Sequence, residues 1–291
     1  MNFSRFSLGL MRLNEWNFNT SQLIRFIDQN LALGITTMDH ADIYGSYTCE
    51  ENFGKAIAME PPLRSRMELV SKCGIKLVSA NRPSHTIHAY DTSKKHIIQS
   101  AENSLKKMQT DYLDLLLIHR PDPLMDADEI AEAFRQLKAA GKVLYFGVSN
   151  FSVSQFELLQ SRLDVPLVTN QIEVSVIKPD NFYDGVLDQC QQYRIKPMAW
   201  SPLAGGHLFR SAEPRAIRIR EALSRIGKIT GGYTMDQIAL AWLMKHPAGI
   251  VPVLGSGNID RIQLAVESQK ISLTNDQWFE ILEASTGVEV P

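Results

Sequence analysis

Short, almost wholly apolar runs alternate with longer amphipathic segments along nearly the whole chain. The apolar runs lie near 7–10, 35–39, 68–72, 113–119, 144–149, 167–171, 196–200 and 250–254, and they read as strands. Segments near 20–33, 48–58, 94–108, 126–140, 152–161, 180–192, 235–246 and 258–267 carry apolar residues at helical spacing. Strands without polar alternation are covered on both faces, as in a parallel sheet. Eight of them with helices between predict the α/β class, and within it a closed (β/α)8 TIM barrel. Two extra helices, near 214–226 and 274–284, and two long connections, 74–92 and 201–233, complete the pattern. Connections of that length tend to form functional rims. Thr20, Ser152 and Thr274 are positioned to cap the helices that follow them, and Gly34, Gly141 and Gly227 to end helices. No linker or low-complexity stretch interrupts the alternation, so residues 1–291 read as one domain.

Composition narrows the partners. A hydrophobic content of 44%, a charged content of 21% and a net charge of -2 describe an ordinary globular chain with no call for a nucleic acid or an anionic membrane. No apolar run is long enough to span a bilayer, and no basic cleavable signal opens the chain. Cys49, Cys73 and Cys190 lack metal-ligand spacing and are expected as reduced thiols in the cytoplasm. Cys73, beside Lys72, is expected to pack passively.

Four polar residues stand out. Asp39 ends the run ITTMD, Lys72 ends ELVSK, His119 ends LDLLLIH, and Tyr44 follows the first of these closely. In a parallel barrel the C-terminal strand ends converge on one rim, where chemistry is done. An acid, a phenol, an ammonium and an imidazole there make a proton-relay set. Singly, each has a structural explanation: an ion pair, a turn tyrosine, a satisfied histidine. Their joint placement favours chemistry.

The stretches MDHADIYGSYTCEENFGKAI (38–57), LVSKCG (69–74), DYLDLLLIHRPDP (111–123), GKVLYFGVSNF (141–151), NQIEVS (170–175), MAWSPLAGG (198–206) and VPVLGSGNIDRI (251–262) together resemble the aldo-keto reductases, in particular bacterial oxidoreductase-type members. The resemblance implies carbonyl reduction by hydride transfer from a nicotinamide. Tyr44 would be the general acid, its pKa lowered by Lys72; Asp39 would orient Lys72, and His119 would polarise the substrate carbonyl. It also implies that Ser149, Asn150 and Gln171 hold the nicotinamide amide and that Trp200 stacks on its ring. Ser201, Leu203, Gly205 and Gly206 would lie along the pyrophosphate. Gly255, Ser256, Asn258 and Arg261, at the start of a helix, would take the adenosine phosphate, which favours NADPH. Many members carry a lysine before that serine; Gly255 stands there in this chain and predicts a weaker phosphate grip. Trp16 matches an aromatic position of the substrate pocket, and Tyr47 and the 74–92 loop are expected on the same rim. His40 and Asp42 are expected in supporting roles.

The family is often monomeric, with small carbonyl compounds as substrates, and a monomer is expected here. The chain begins almost directly at its first strand, so a floor-plugging hairpin is not expected. Two other classes of function bear on the same residues. A nicotinamide-binding sensor or regulatory subunit would bind cofactor with little turnover. A metal-dependent hydrolase would need more converging histidines and carboxylates than Asp39, His40 and His119 offer, so no metal is expected.

Overall fold

The computed structural model describes residues 1 and 3–289. Among them, eight parallel strands close into a barrel surrounded by helices: β1 Ser7–Gly9, β2 Thr37–Asp39, β3 Glu68–Cys73, β4 Leu113–Ile118, β5 Val143–Ser149, β6 Leu167–Glu173, β7 Met198–Trp200 and β8 Val251–Leu254. Their order is β1-β8-β7-β6-β5-β4-β3-β2. The helices are α1 Thr20–Ala32, the single turn α2 Tyr44–Tyr47, α3 Cys49–Met59, α4 Lys94–Met108, α5 Ala127–Ala139 and α6 Val153–Gln160. There follow α7 Val186–Gln192, the short α8 His207–Arg210, α9 Pro214–Ile229, α10 Met235–Lys245, α11 Ile259–Glu267 and α12 Asn275–Thr286.

Three local expectations are corrected. The cap of α1 is Asn19, not Thr20: the Asn19 side chain accepts from Gln22 N, and Gln22 returns the bond to Asn19 N. Gly227 does not end α9 but lies inside it, because a side chain there would stand 2.3 Å from the Tyr233 carbonyl. The segment 180–192 is not one helix; Gly185, with φ 84°, separates a 3-10 turn from α7. Ser152 and Thr274 cap α6 and α12 as expected. The 74–92 connection contains a two-stranded antiparallel ladder, Ile75–Lys76 with Ala89–Tyr90, too short to show as a pattern.

The chain groups into two compact units, Met1–Gln171 with Gly255–Gly257, and Ile172–Leu254 with Asn258–Pro291. In the first, Val70 pairs with Leu115 and Lys72 with Leu117 across β3 and β4, so these four side chains share one face. Val70, Leu115 and Leu117 form a fully buried cluster on which Met1, Phe3 and Val168 pack. Lys72 stands one pleat nearer the C-terminal ends, where the lining turns from apolar to charged. In the second unit, Trp242 stacks on Trp278 with centroids 5.1 Å apart. Each indole donates to the other's backbone carbonyl, at 2.9 and 3.1 Å. No helix among the described residues is long and apolar enough to cross a membrane.

Candidate active site

β2, β3 and β4 bring Asp39, Lys72 and His119 to one rim, and α2 begins at Tyr44 beside them. The Lys72 ammonium has three protons and places all of them: on Asp39 Oδ2 at 2.9 Å, the His40 carbonyl at 2.7 Å and Tyr44 Oη at 3.0 Å. Asp39 Oδ1 accepts from Gln171 Nε2 at 2.8 Å. Because β2 and β6 are not neighbours in the sheet, that bond crosses the barrel interior. Lys72 is wholly buried and Asp39 nearly so.

Burial drives the electrostatics. On its own it would lower the Lys72 pKa, but Asp39 and Tyr44 together outweigh it and hold the ammonium above its ordinary value. For Tyr44 the expected direction is reversed. Burial raises the phenol, Asp39 adds to it, and the opposing pull of Lys72 and Arg120 is smaller. Tyr44 therefore stays a protonated donor at neutral pH. His119 is held well below the ordinary imidazole range by burial first, then by Lys72 and Arg120. It is neutral, its ring lies 6.0 Å from that of Tyr44 between centroids, and its buried Nδ1 has no hydrogen-bond partner.

The turn carrying Tyr44 is unusual. Gly45, Ser46 and Tyr47 all have positive φ, at 57°, 54° and 72°. A side chain at Gly45 would stand 2.4 Å from Asn14 Nδ2 and 2.6 Å from Cys49 Sγ. Ser46 and Tyr47 hold their conformation at a cost of about 1–3 kcal/mol each. Tyr47 is buried against the 74–92 loop, its hydroxyl accepting from Leu77 N. His40 packs edge-on to Phe53 with neither ring nitrogen partnered, and burial, with Lys72, holds its pKa down to about 3. Asp42, whose Oδ1 is also unpartnered, helps line a cavity of ≈ 140 Å³ with Glu50, Tyr47, His85, His96 and Lys107. Burial pushes the Cys73 thiol well up, consistent with passive packing.

The residues expected to hold a nicotinamide amide also meet. Ser149 pairs with Gln171 in register, Ser149 Oγ donates to the Gln171 carbonyl at 2.9 Å, and Asn150 Nδ2 donates to Ser149 Oγ at 2.7 Å. Asn150, at φ 58°, turns the chain there. In the second unit, half-buried Trp200 ends β7, and Ser201, Ala204, Gly205 and Gly206 all have positive φ. The bend is closed by Ala204 N to the Ser201 carbonyl (2.7 Å) and Gly206 N to the Leu203 carbonyl (2.9 Å). Arg210 Nη2 braces it by donating to the Gly205 carbonyl at 3.2 Å, a contact that no motif in the sequence signals. Asn258 caps α11 by accepting from Arg261 N at 3.1 Å, which leaves the exposed Arg261 side chain in the first turn. Back in the first unit, the backbone at Gly255 is open, with nothing within 4 Å of where a Cβ would stand, and Ser256 follows it half-buried. Trp16 leans edge-on to Phe26 and presses on Gly257, where a Cβ would come within 2.5 Å of the indole.

The model of the Aldo/keto reductase family matches residues 5–286. The chain is 52% identical to the oxidoreductase YcsN of Bacillus subtilis, over 100% of this chain and 97% of that protein. It is 50% identical to oxidoreductase YdhF of Escherichia coli, over 99% and 96%. Identity is 45% to a 6-dehydroglucose reductase of Agrobacterium fabrum, over 100% and 97%. Among solved structures, an aldo/keto reductase from Klebsiella pneumoniae in complex with NADP and acetate superposes with a TM-score of 0.78 at 27% identity, covering 96% of this chain and 90% of that one. A closed parallel barrel, and a family match running almost from end to end, make this chain a member of the aldo/keto reductase family.

Proposed function

We propose that the protein reduces an aldehyde or ketone to the alcohol with NADPH, Tyr44 giving the proton. The observation that carries this is the Lys72 ammonium, bonded at once to Asp39 and Tyr44 beside a neutral His119 with a free ring nitrogen. The residues present fit a dinucleotide. In the first unit, the backbone is open at Gly255, beside Ser256, and Ser149, Asn150 and Gln171 offer donors and acceptors to a carboxamide; in the second, the amides and Arg261 of the α11 N-terminus suit an anionic group. Trp200 offers a ring face, and the bend through Ser201, Leu203, Gly205 and Gly206 is where we assign the pyrophosphate. Bound there, the cofactor supplies the hydride.

The chain's own residues handle the charge. A carbonyl oxygen between Tyr44 Oη and His119 gains negative charge as its carbon is reduced, and both groups can donate to it. Tyr44 then passes its proton to that oxygen. The resulting phenolate is stabilised by Lys72 Nζ, 3.0 Å away, which Asp39 keeps charged and aimed. A polyhydroxylated aldehyde is the substrate class we favour, since a relative 45% identical along the whole chain is named for 6-dehydroglucose. Trp16 is the ring expected to face it. The buried, unpaired Cys49, Cys73 and Cys190 suit a reducing cytoplasm, and we read the protein as a monomer.

The test is NADPH oxidation with 6-dehydroglucose and simple aldehydes, comparing wild type with Tyr44→Phe. Turnover should fall by about 10²–10⁴ in the variant, while NADPH still quenches tryptophan fluorescence. Cofactor binding by wild type without turnover of any carbonyl would favour the sensor. No binding would overturn both readings.

A further inference from the structure

Three successive left-handed residues turn their carbonyls away from the pattern a helix would satisfy, and in segment 45–47 each carbonyl is taken by a side chain. Thr48 Oγ1 donates to the Gly45 carbonyl at 2.6 Å and is itself held by Asn14 Nδ2 at 2.8 Å. Asn81 Nδ2 donates to the Ser46 carbonyl at 2.9 Å. Lys107 Nζ, from α4, donates to the Tyr47 carbonyl at 2.7 Å. The Tyr47 side chain is fastened as well. Its hydroxyl accepts from Leu77 N at 2.8 Å and lies 3.3 Å from His85 Nδ1, and the Arg82 guanidinium sits 4.7 Å over its ring. Tyr47 is only 4% exposed, at a φ that an aromatic residue rarely adopts. The Leu77 amide, Asn81, Arg82 and His85 of this loop thus all bear on the turn behind Tyr44.

We propose that Tyr47 and Lys107 are positioning residues for proton transfer: with loop 77–85 they clamp the left-handed turn 45–47 and so hold the Tyr44 hydroxyl against Lys72. Thr48 and Asn14 fasten the turn at Gly45, and Asn81, Tyr47 and Lys107 fasten it at its two strained residues. Ser46 and Tyr47 prefer other backbone conformations, and relaxation toward them would carry the adjacent Tyr44 with it. A reacting group displaced by about 1 Å loses on the order of 10²-fold in rate. This inference rests on the reading of Tyr44 as proton donor.

The experiment compares Tyr47→Phe, which keeps the ring and deletes the acceptor for Leu77 N, with Lys107→Met and Lys107→Arg. Expected for Tyr47→Phe and Lys107→Met is a fall in kcat of about 10- to 100-fold, with the KM for aldehyde and the Kd for NADPH changed less than about twofold. Lys107→Arg, which can still donate to the Tyr47 carbonyl, should regain most of the rate. A general loosening would instead spread over cofactor affinity and melting temperature. Should Tyr47→Phe fail to fold, Lys107→Met and Asn81→Ala, both altered near the surface, carry the test. Folded variants with wild-type kcat, or a loss confined to NADPH binding, would overturn the clamp. Tyr44→Phe measured alongside separates the two readings: turnover retained there removes the proton donor itself, whereas an inactive Tyr44→Phe beside fully active Lys107→Met removes only the clamp.

Discussion

Lys72 shows how a single buried charge can be indispensable without being a gain. Taking an ammonium and a carboxylate out of water is costly, and removing one partner strands the other. Lys72→Met should therefore abolish turnover and also lower stability by about 3–5 kcal/mol. Adding Asp39→Asn should recover part of the stability but none of the activity, which urea unfolding and NADPH oxidation would separate. His40 makes a pH prediction. Its folded pKa of about 3 lies below the value of about 6.5 expected in the unfolded chain, so unfolding takes up a proton. Its contribution is whole above about pH 6.5 and is lost as the pH falls toward 3, at most about 5 kcal/mol in all. His119, also lowered, acts with the same sign. Between pH 7 and 4 the wild type should lose stability more steeply than His40→Leu; parallel melting curves would show that His40 does not titrate in this way.

At the scale of elements, the period of the apolar residues was a sufficient guide. Every barrel strand lies within two residues of its expected ends, because strand and helix periods are written locally and burial on both faces leaves few polar interruptions. The errors cluster where one residue's chemistry competes with its neighbour's. Asn19 and Thr20 can both cap, and Asn19 wins because Gln22 stands three residues beyond it and closes a capping box. Asn19→Ala should cost about 1 kcal/mol and Thr20→Ala much less, as measured by urea denaturation; equal losses would contradict the cap assignment. Gly227 looked like a helix end, yet its reason lies in the Tyr233 carbonyl pressed against it, a contact that periodicity does not encode.

At the largest scale, the first unit separates apolar packing from charged lining along its strands. The apolar cluster of Val70, Leu115 and Leu117 lies on the N-terminal side of Lys72, and Phe3 covers it. Phe3→Ala should lower stability by about 1–3 kcal/mol and leave kcat unchanged, because that end of a parallel barrel carries no chemistry. A matching fall in kcat would mean the two ends are coupled. What the sequence determined alone is the alternation of strands and helices, hence the closed parallel barrel, and the placing of Asp39, Tyr44, Lys72 and His119 at or just past strand ends. Those follow from local periodicity and order along the chain. The tertiary structure decided the rest. The Tyr44 phenol is raised and not lowered, because burial outweighs the neighbouring ammonium. Tyr47 is packed into the 74–92 loop, because three left-handed residues turn it there. Burial and through-space neighbours set both outcomes, and neither is a property of any short stretch of sequence.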